Sequence, residues 1–311
     1  MKLLITDHLG QHKTTKELEK WFRNKGHEVK WSMYYDPKLM TWCDIALFEW
    51  CEGMVNLAIK DGWCKKKPVF CRAMDIEIWA RQYNGIDLGQ LKGLAYTSRA
   101  LFSVMNEDLH FREKWPDLNI IHIPLSIDLK EWTFKERKPG RRVAIIGHMW
   151  GSKGAVMIPQ FVDQLIKKTK DDSWQFYLQG HWRHDVWRWY FHYFKHIIRE
   201  LKLEKNIFIN EKRVPSIDEF LEDKNYLITF SMKDAFSLIV AEAMAKGIKA
   251  LPHNFIGAKD IWKKYVWSSF DELFYRLLEE EYNSKEYRSF VERNYSNKVI
   301  MPKWEKFLGV K

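Results

Sequence analysis

The sequence predicts an α/β protein built from two doubly wound domains. Strand-like apolar runs alternate with helical segments, which argues for parallel sheets made of βαβ units. The alternation breaks once, at a charged Pro-Gly stretch, and then restarts. At 311 residues the chain is also long enough for two domains of ordinary size. In the first half, "KLLIT" (2–6) reads as a short buried strand, followed by a helix, "TTKELEKWFRNKG", closed by Gly26. Strands follow at "HEVKWSM", "CDIALFEW", "KPVFCRAMD", the start of "LAYTSRALFSVMNEDLHFREKW" and "NIIHIPLSID", with helices between them. "KEWTFKERKPGRR" is the linker candidate, joining the halves near 135–140. Beyond it "RVAIIG", "WQFYLQG", "NIFIN", "NYLITFS" and "KALPHN" read as strands, and "DVWRWYFHYFKHIIRELKL", "SIDEFLEDK" and "SLIVAEAMAKG" as helices. The expected organisation is a first domain over 1–135, a second over 136–295, and a C-terminal helix over 296–311 packing back on the first. Ligands of such folds bind beyond the carboxyl ends of the strands, here in a cleft between the domains.

Composition narrows the function classes. Hydrophobic residues make up 46% of the chain and charged residues 30%, so it has material for cores and does not read as disordered. No run of 18 apolar residues is present, and "MKLLITDHLG" lacks the apolar stretch of a signal peptide, so a cytoplasmic location is expected. Cys43, Cys51, Cys64 and Cys71 match no specific zinc or thioredoxin spacing and read as free thiols, with a metal site or a disulfide as alternatives. The formal charge is +10, with 22 basic against 19 acidic residues in 1–139 and 29 against 22 thereafter. That excess favours anionic partners: phosphates, nucleotides, nucleic acid or a membrane surface.

Two stretches carry candidate chemistry. In "SMKDAFSLIVAEAMAKG", Ser231 to Asp234 lie just past a strand, and Phe236, Ser237 and Leu238 lie at a helix start, whose first amides lack internal acceptors and attract phosphate. Glu242, about a turn further on, can accept two hydrogen bonds from a vicinal diol such as a ribose. Asp234 can reach the group attached to the phosphate, or serve only as a cap. In "IIGHMWGSKG", a strand ends at Gly147 and Lys153 opens the next helix, where it can meet a diphosphate as a point charge or simply be solvated. The stretch is not a P-loop.

In serial order these motifs resemble the nucleotide-sugar domain of the GT-B glycosyltransferases, in particular the large retaining family four. The resemblance rests on "GHMWGSKG", "WQFYLQG", "NIFI", "SMKDAFSLIVAEAMAKG" and "NFIGAKDI", with "IIHIPLSIDLKEWTF" as the entry to the linker. It covers residues 120–262, and residues 1–119 in layout only. The resemblance implies a GT-B fold and retaining transfer of a sugar, most readily from a UDP-sugar (or a GDP-sugar), with no bound metal and no cofactor beyond that co-substrate. It implies that Glu242 binds the ribose, that the amides of Phe236, Ser237 and Leu238 take the diphosphate, and that Lys153 neutralises the departing nucleoside diphosphate. Asp234 would stand near the donor sugar. Gly10 would let the first loop approach the phosphates, Gly147 and His148 would line the donor site, and Arg213 and Val214 would touch the base. The sequence departs from the family pattern at Asp234, where a Glu is usual, at His148, where an Arg is usual, and in having one glycine rather than a pair in the first loop. Asp75 and Arg72, in "CRAMDIE", can contact sugar or acceptor, or form a local salt bridge.

The acceptor is left open: a saccharide, a lipid or a modified nucleobase. Residues 181–199, "HWRHDVWRWYFHYFKHIIR", interleave aromatic and basic residues. Such a helix suits an anionic membrane, nucleic acid, a partner interface or ordinary packing. A nucleic-acid-binding protein on a scaffold that no longer transfers sugar is the rival reading, and sharp salt dependence of DNA binding would favour it. Peripheral contact with the inner membrane surface is a further expectation. The oligomeric state is not legible.

Overall fold

The computed structural model describes every residue except 11, 12, 183, 213 and 311. The chain divides into two compact units, Met1–Asp128 with Asn294–Lys311, and Leu129–Arg293.

The first unit is built on six strands: β1 (Lys2–Thr6), β2 (Glu28–Ser32), β3 (Ile45–Glu49), β4 (Val69–Ala73), β5 (Gly93–Tyr96) and β6 (Ile120–His122). All neighbours pair in parallel, in the order β2-β1-β3-β4-β5-β6. β3 and β4 are buried along their whole length. That is why they read as mostly apolar rather than alternating, their two charged residues, Glu49 and Arg72, being paired with each other. The helix Asn297–Leu308 packs Ile300, Met301, Trp304, Phe307 and Leu308 against Leu3, Ile5, Leu47 and Phe70. Asn297 Nδ2 donates to Glu17 (2.6 Å) and Trp21 Nε1 to Glu305 (2.9 Å), which fixes the helix at both ends. A helix absent from the sequence reading, Pro37–Trp42, starts on an Asp36 cap that accepts from the Lys38 amide. Cys43, Cys51 and Cys71 are buried and Cys64 is half-buried, all as free thiols.

The second unit holds β7 (Arg142–Ile146), β8 (Gln175–Gln179), β9 (Ile207–Asn210), β10 (Tyr226–Thr229) and β11 (Lys249–Pro252), all parallel, in the order β11-β10-β7-β8-β9. Its core joins the aromatic residues Phe161, Trp174, Phe176, Phe194, Phe230, Trp267 and Phe274 to the aliphatic strand residues. The stretch expected to be a linker is part of this unit. Arg137 donates to the carbonyls of Lys246 (3.2 Å), Glu222 (2.7 Å) and Lys224 (3.1 Å), and its amide donates to Ser284 (2.9 Å). The helix Leu238–Ala245 packs on β11 and is apolar because it is buried on nearly all sides. Just past its end, the buried Lys246 ammonium pairs with Asp218 (2.5 Å) and Glu222 (3.2 Å).

Candidate active site

In the second unit two loops leave the carboxyl ends of adjacent strands, β7 and β10, and meet. The Met232 amide donates to the Ser152 carbonyl at 2.9 Å, tying the loops together. Gly154 makes the approach possible. It has φ +63, and a Cβ there would lie 2.3 Å from the Phe230 carbonyl oxygen. The joined loops bring Lys153 to Asp234, with Nζ 3.0 Å from Oδ2 and 3.3 Å from the Lys233 carbonyl. The other carboxylate oxygen of Asp234 accepts from the amides of Phe236 (3.3 Å) and Ser237 (2.9 Å). Asp234 therefore links Lys153, which closes the single turn Gly151–Lys153 rather than opening the helix Met157–Thr169, to the start of the helix Leu238–Ala245.

This geometry changes how the helix start is read. The Phe236 and Ser237 amides are directed at Asp234, so a phosphate reaching them would share them with that carboxylate. The Leu238 amide opens the helix and has no acceptor within it. Ser237 sits at the N-cap in a left-handed conformation, φ +66, without a side-chain cap bond. A non-glycine residue held there costs on the order of 1 kcal/mol or more, and such strain concentrates at binding sites. Glu242 lies in the second turn of the same helix, 7% exposed. Gly147, with φ +150, has no atom within 4 Å of where a Cβ would be. His148 is exposed, stacks on Trp150 (ring centroids 4.7 Å apart) and meets the edge of His181 at 6.5 Å. Val214 is half-buried in the loop after β9. That loop is steadied by Gln179 donating to the Lys212 carbonyl (2.8 Å) and Asn210 donating to Gln179 (2.6 Å). Arg213 lies outside the described residues. His253, past β11, donates through Nδ1 to the Ser231 carbonyl at 3.0 Å. Burial holds its pKa below the ordinary value.

The first unit gathers a second polar group at the carboxyl ends of β1, β3 and β4. Asp7, buried, accepts from Thr15 Oγ1 (2.7 Å), Trp50 Nε1 (3.0 Å) and the Leu9 amide (3.2 Å), which shapes the loop carrying Gly10 (φ +75). Arg72 is 2% exposed, grips Glu49 with two bonds of 2.6 and 2.7 Å, reaches Thr14 at 3.3 Å, and lies 5.0 Å from the Trp304 ring centre. Burial pushes the Glu49 carboxyl up against the pull of Arg72. The guanidinium that the sequence offered to a ligand is thus engaged inside the unit. Asp75 opens the short helix Ile76–Trp79, and the turn before that helix is held by Glu77, which accepts from the amides of Met74 (2.5 Å) and Asp75 (3.0 Å). Burial raises the Glu77 pKa to about 7 despite those bonds.

Sequence reasoning also missed a pair. His8 Nδ1 lies 2.6 Å from Glu52 Oε1. Glu52 stands at the N-cap of the helix Gly53–Lys60 but makes no cap bond to it. Trp50, just before, has φ +75. No local signal marks this pair, because its members are brought together only by the pairing of β1 with β3. Among the described residues no group of three or more His, Cys, Asp or Glu is arranged to hold a metal ion.

No protein-family model and no curated protein matches the chain. Solved structures do. Anabaena HepE, in complex with UDP and glucose, aligns with a TM-score of 0.76 at 12% identity, over 99% of each chain. A glycosyltransferase from Rickettsia africae aligns at 0.71 and 15% identity, over 99% of this chain and 98% of that one. The lipopolysaccharide outer core galactosyltransferase WaaB aligns at 0.70 and 13% identity, over 99% of each. S. aureus TarM aligns at 0.66 and 16% identity over 85% of this chain, which spans only about half (54%) of TarM. At these identities the likeness concerns architecture. Together with the two parallel-sheet Rossmann-like units, it shows that the chain has the GT-B fold.

Proposed function

We propose that the chain is a glycosyltransferase that binds a nucleotide diphosphate sugar on its second unit and transfers the sugar to an acceptor hydroxyl. The observation that carries this reading is the convergence of Lys153, Asp234 and the start of the helix Leu238–Ala245 at the carboxyl ends of β7 and β10. A cation and helix amides set in one place before reaction are suited to charge developing on a departing diphosphate. Glu242, in the same helix, is assigned the ribose hydroxyls, and Gly147, His148 and Val214 the surroundings of the donor. Asp234 orients Lys153 and the helix start and stands by the donor sugar. Uridine is the favoured base, because HepE was solved with UDP and glucose and the pneumococcal transferase GtfA with UDP and GlcNAc. Retention of the anomeric configuration and independence of metal follow from the resemblance to family four. In that scheme the leaving phosphate helps to deprotonate the acceptor, and the protein mainly positions and stabilises charge. Asp75 is assigned to the acceptor side. Arg72 is assigned to holding the β1 loop through Glu49 rather than to a ligand. A saccharide acceptor is favoured over a lipid or a modified nucleobase, because the named neighbours include a galactosyltransferase of the lipopolysaccharide core.

The test is turnover of UDP-glucose, UDP-galactose, UDP-N-acetylglucosamine and GDP-mannose, with methanol as surrogate acceptor, on wild type and Lys153→Ala. Nucleotide release with one donor, reduced at least tenfold in the variant, supports the reading. A methyl glycoside of the donor's own anomer by NMR supports retention, and the opposite anomer sinks it. No release from any donor, with salt-sensitive DNA binding instead, would favour the nucleic-acid reading.

A further inference from the structure

The helix His184–Glu200 in the second unit carries features the sugar-transfer reading does not use. Its inner face packs Tyr190, Phe191, Phe194 and Ile198 into the core. Its outer face is not uniformly polar, as a solvated helix would be. Val186, Trp189 and Tyr193 are 56%, 62% and 43% exposed. At spacings of three and four they fall in one stripe along the helix. Arg188, Lys195 and Arg199 are also exposed, and at spacings of seven and four they form a second stripe on the other flank of the outer face, across His192 and His196 from the first. The acidic residues, Asp185 and Glu200, stand at the two ends of the helix, so the intervening stretch carries only positive formal charge.

We infer that this face is a docking surface for an anionic lipid bilayer, with the helix lying in the plane of the interface. Trp and Tyr suit that depth, because each has an apolar body and a polar tip. The basic stripe on the other flank complements anionic headgroups, and its long side chains can reach toward them from a helix lying in the interface. Three apolar side chains are too few for a stable protein interface, which takes about 20–30 residues a side. A single-stranded nucleic acid is held in a groove with stacking platforms, whereas this surface is the convex side of a helix. No helix among the described residues is long and apolar enough to cross a membrane, so the contact is peripheral.

The experiment is co-sedimentation of the full chain with vesicles of pure phosphatidylcholine or of phosphatidylcholine with 40% phosphatidylglycerol, at 50 and 300 mM salt. Wild type, Trp189→Ser/Tyr193→Ser, and Arg188→Gln/Lys195→Gln/Arg199→Gln are compared after their melting temperatures are shown to match. Each basic residue near an anionic surface contributes roughly a fivefold factor in binding, so the triple variant should bind the anionic vesicles roughly a hundredfold more weakly. The aromatic variant should also lose binding, and wild type should bind neutral vesicles poorly and anionic ones less well at high salt. Failure of wild type to bind anionic vesicles, or equal binding by the variants, overturns the inference. Binding of a single-stranded oligonucleotide that is lost in both variants, or self-association lost in the aromatic variant alone, would reassign the face and overturn it equally.

Discussion

Glu77→Gln isolates one buried carboxyl and the turn it holds. In the folded protein Glu77 accepts from the Met74 and Asp75 amides in a buried position, and burial lifts its pKa from 4.5 to about 7. The unfolded chain releases this proton near 4.5. Between the two values the folded state binds more proton than the unfolded state, so stability falls as pH rises from about 4.5 to about 7 and the cost is constant above that. At 1.36 kcal/mol for each pKa unit, the full cost is about 3 kcal/mol. Glutamine cannot titrate and keeps one oxygen for an amide. The difference in melting temperature, wild type minus Glu77→Gln, should therefore fall between pH 4.5 and pH 8. At roughly 2–4 °C per kcal/mol for a unit of this size, the fall is roughly 6–12 °C. Other titrating groups are common to both proteins and cancel in the difference. The assay is calorimetry of both proteins across that range. Parallel curves would refute the reasoning, because Glu77 would then ionise in the folded state as easily as in the unfolded chain. The same turn sets the backbone of Asp75, the residue proposed for the acceptor side.

Other perturbations separate support from ligand contact. Arg72→Ala strips the partner from buried Glu49 and should cost about 3–5 kcal/mol of first-unit stability; an unchanged melting temperature would remove Arg72 from the structural role given to it. Asp234→Ala loses a cap on two amides and a partly exposed ion pair, for about 1–3 kcal/mol in all, whereas Asp234→Asn keeps the cap and should cost less than about 1 kcal/mol. Equal costs by thermal unfolding would contradict the capping geometry, and both variants should slow sugar-nucleotide turnover. Gly154→Ala forces a left-handed alanine against the Phe230 carbonyl and should cost about 1–3 kcal/mol while displacing Lys153; wild-type stability and turnover would show that the loops do not need this approach.

Much of the architecture was legible because both faces of each parallel sheet are covered. The strands "IALFE", "VFCRA" and "YLIT" are therefore largely apolar, with Glu49 and Arg72 paired to each other, and residues in the loops after β10 and β7, such as Asp234 and Lys153, stand at the ends where ligands gather. What sequence order hides is pairing across strands. Arg72 with Glu49, and His8 with Glu52, depend on the β1-β3-β4 register, and neither spacing means anything along the chain. That Asp234 holds the very amides offered to phosphate depends on a side-chain rotamer, which no pattern records. The stretch around Arg137 read as a linker from its charge and its Pro-Gly pair. Three carbonyls of the second unit use that charge instead. The Pro37–Trp42 helix was readable from Asp36-Pro37, a cap followed by proline at the first helical position, but it is too short to show periodicity.

Glu242 and the loops around Lys153 are proposed to form a nucleotide-sugar site. The most direct test is thermal stabilisation of wild type and Glu242→Ala by UDP, GDP, ADP and their sugar conjugates. A ligand at a hundred times its dissociation constant adds about 2.7 kcal/mol to the stability of the state that binds it. UDP or a UDP-sugar should raise the melting temperature of wild type, and most of the rise should be lost in Glu242→Ala. No shift with any nucleotide, or an equal shift in both proteins, would contradict that proposal.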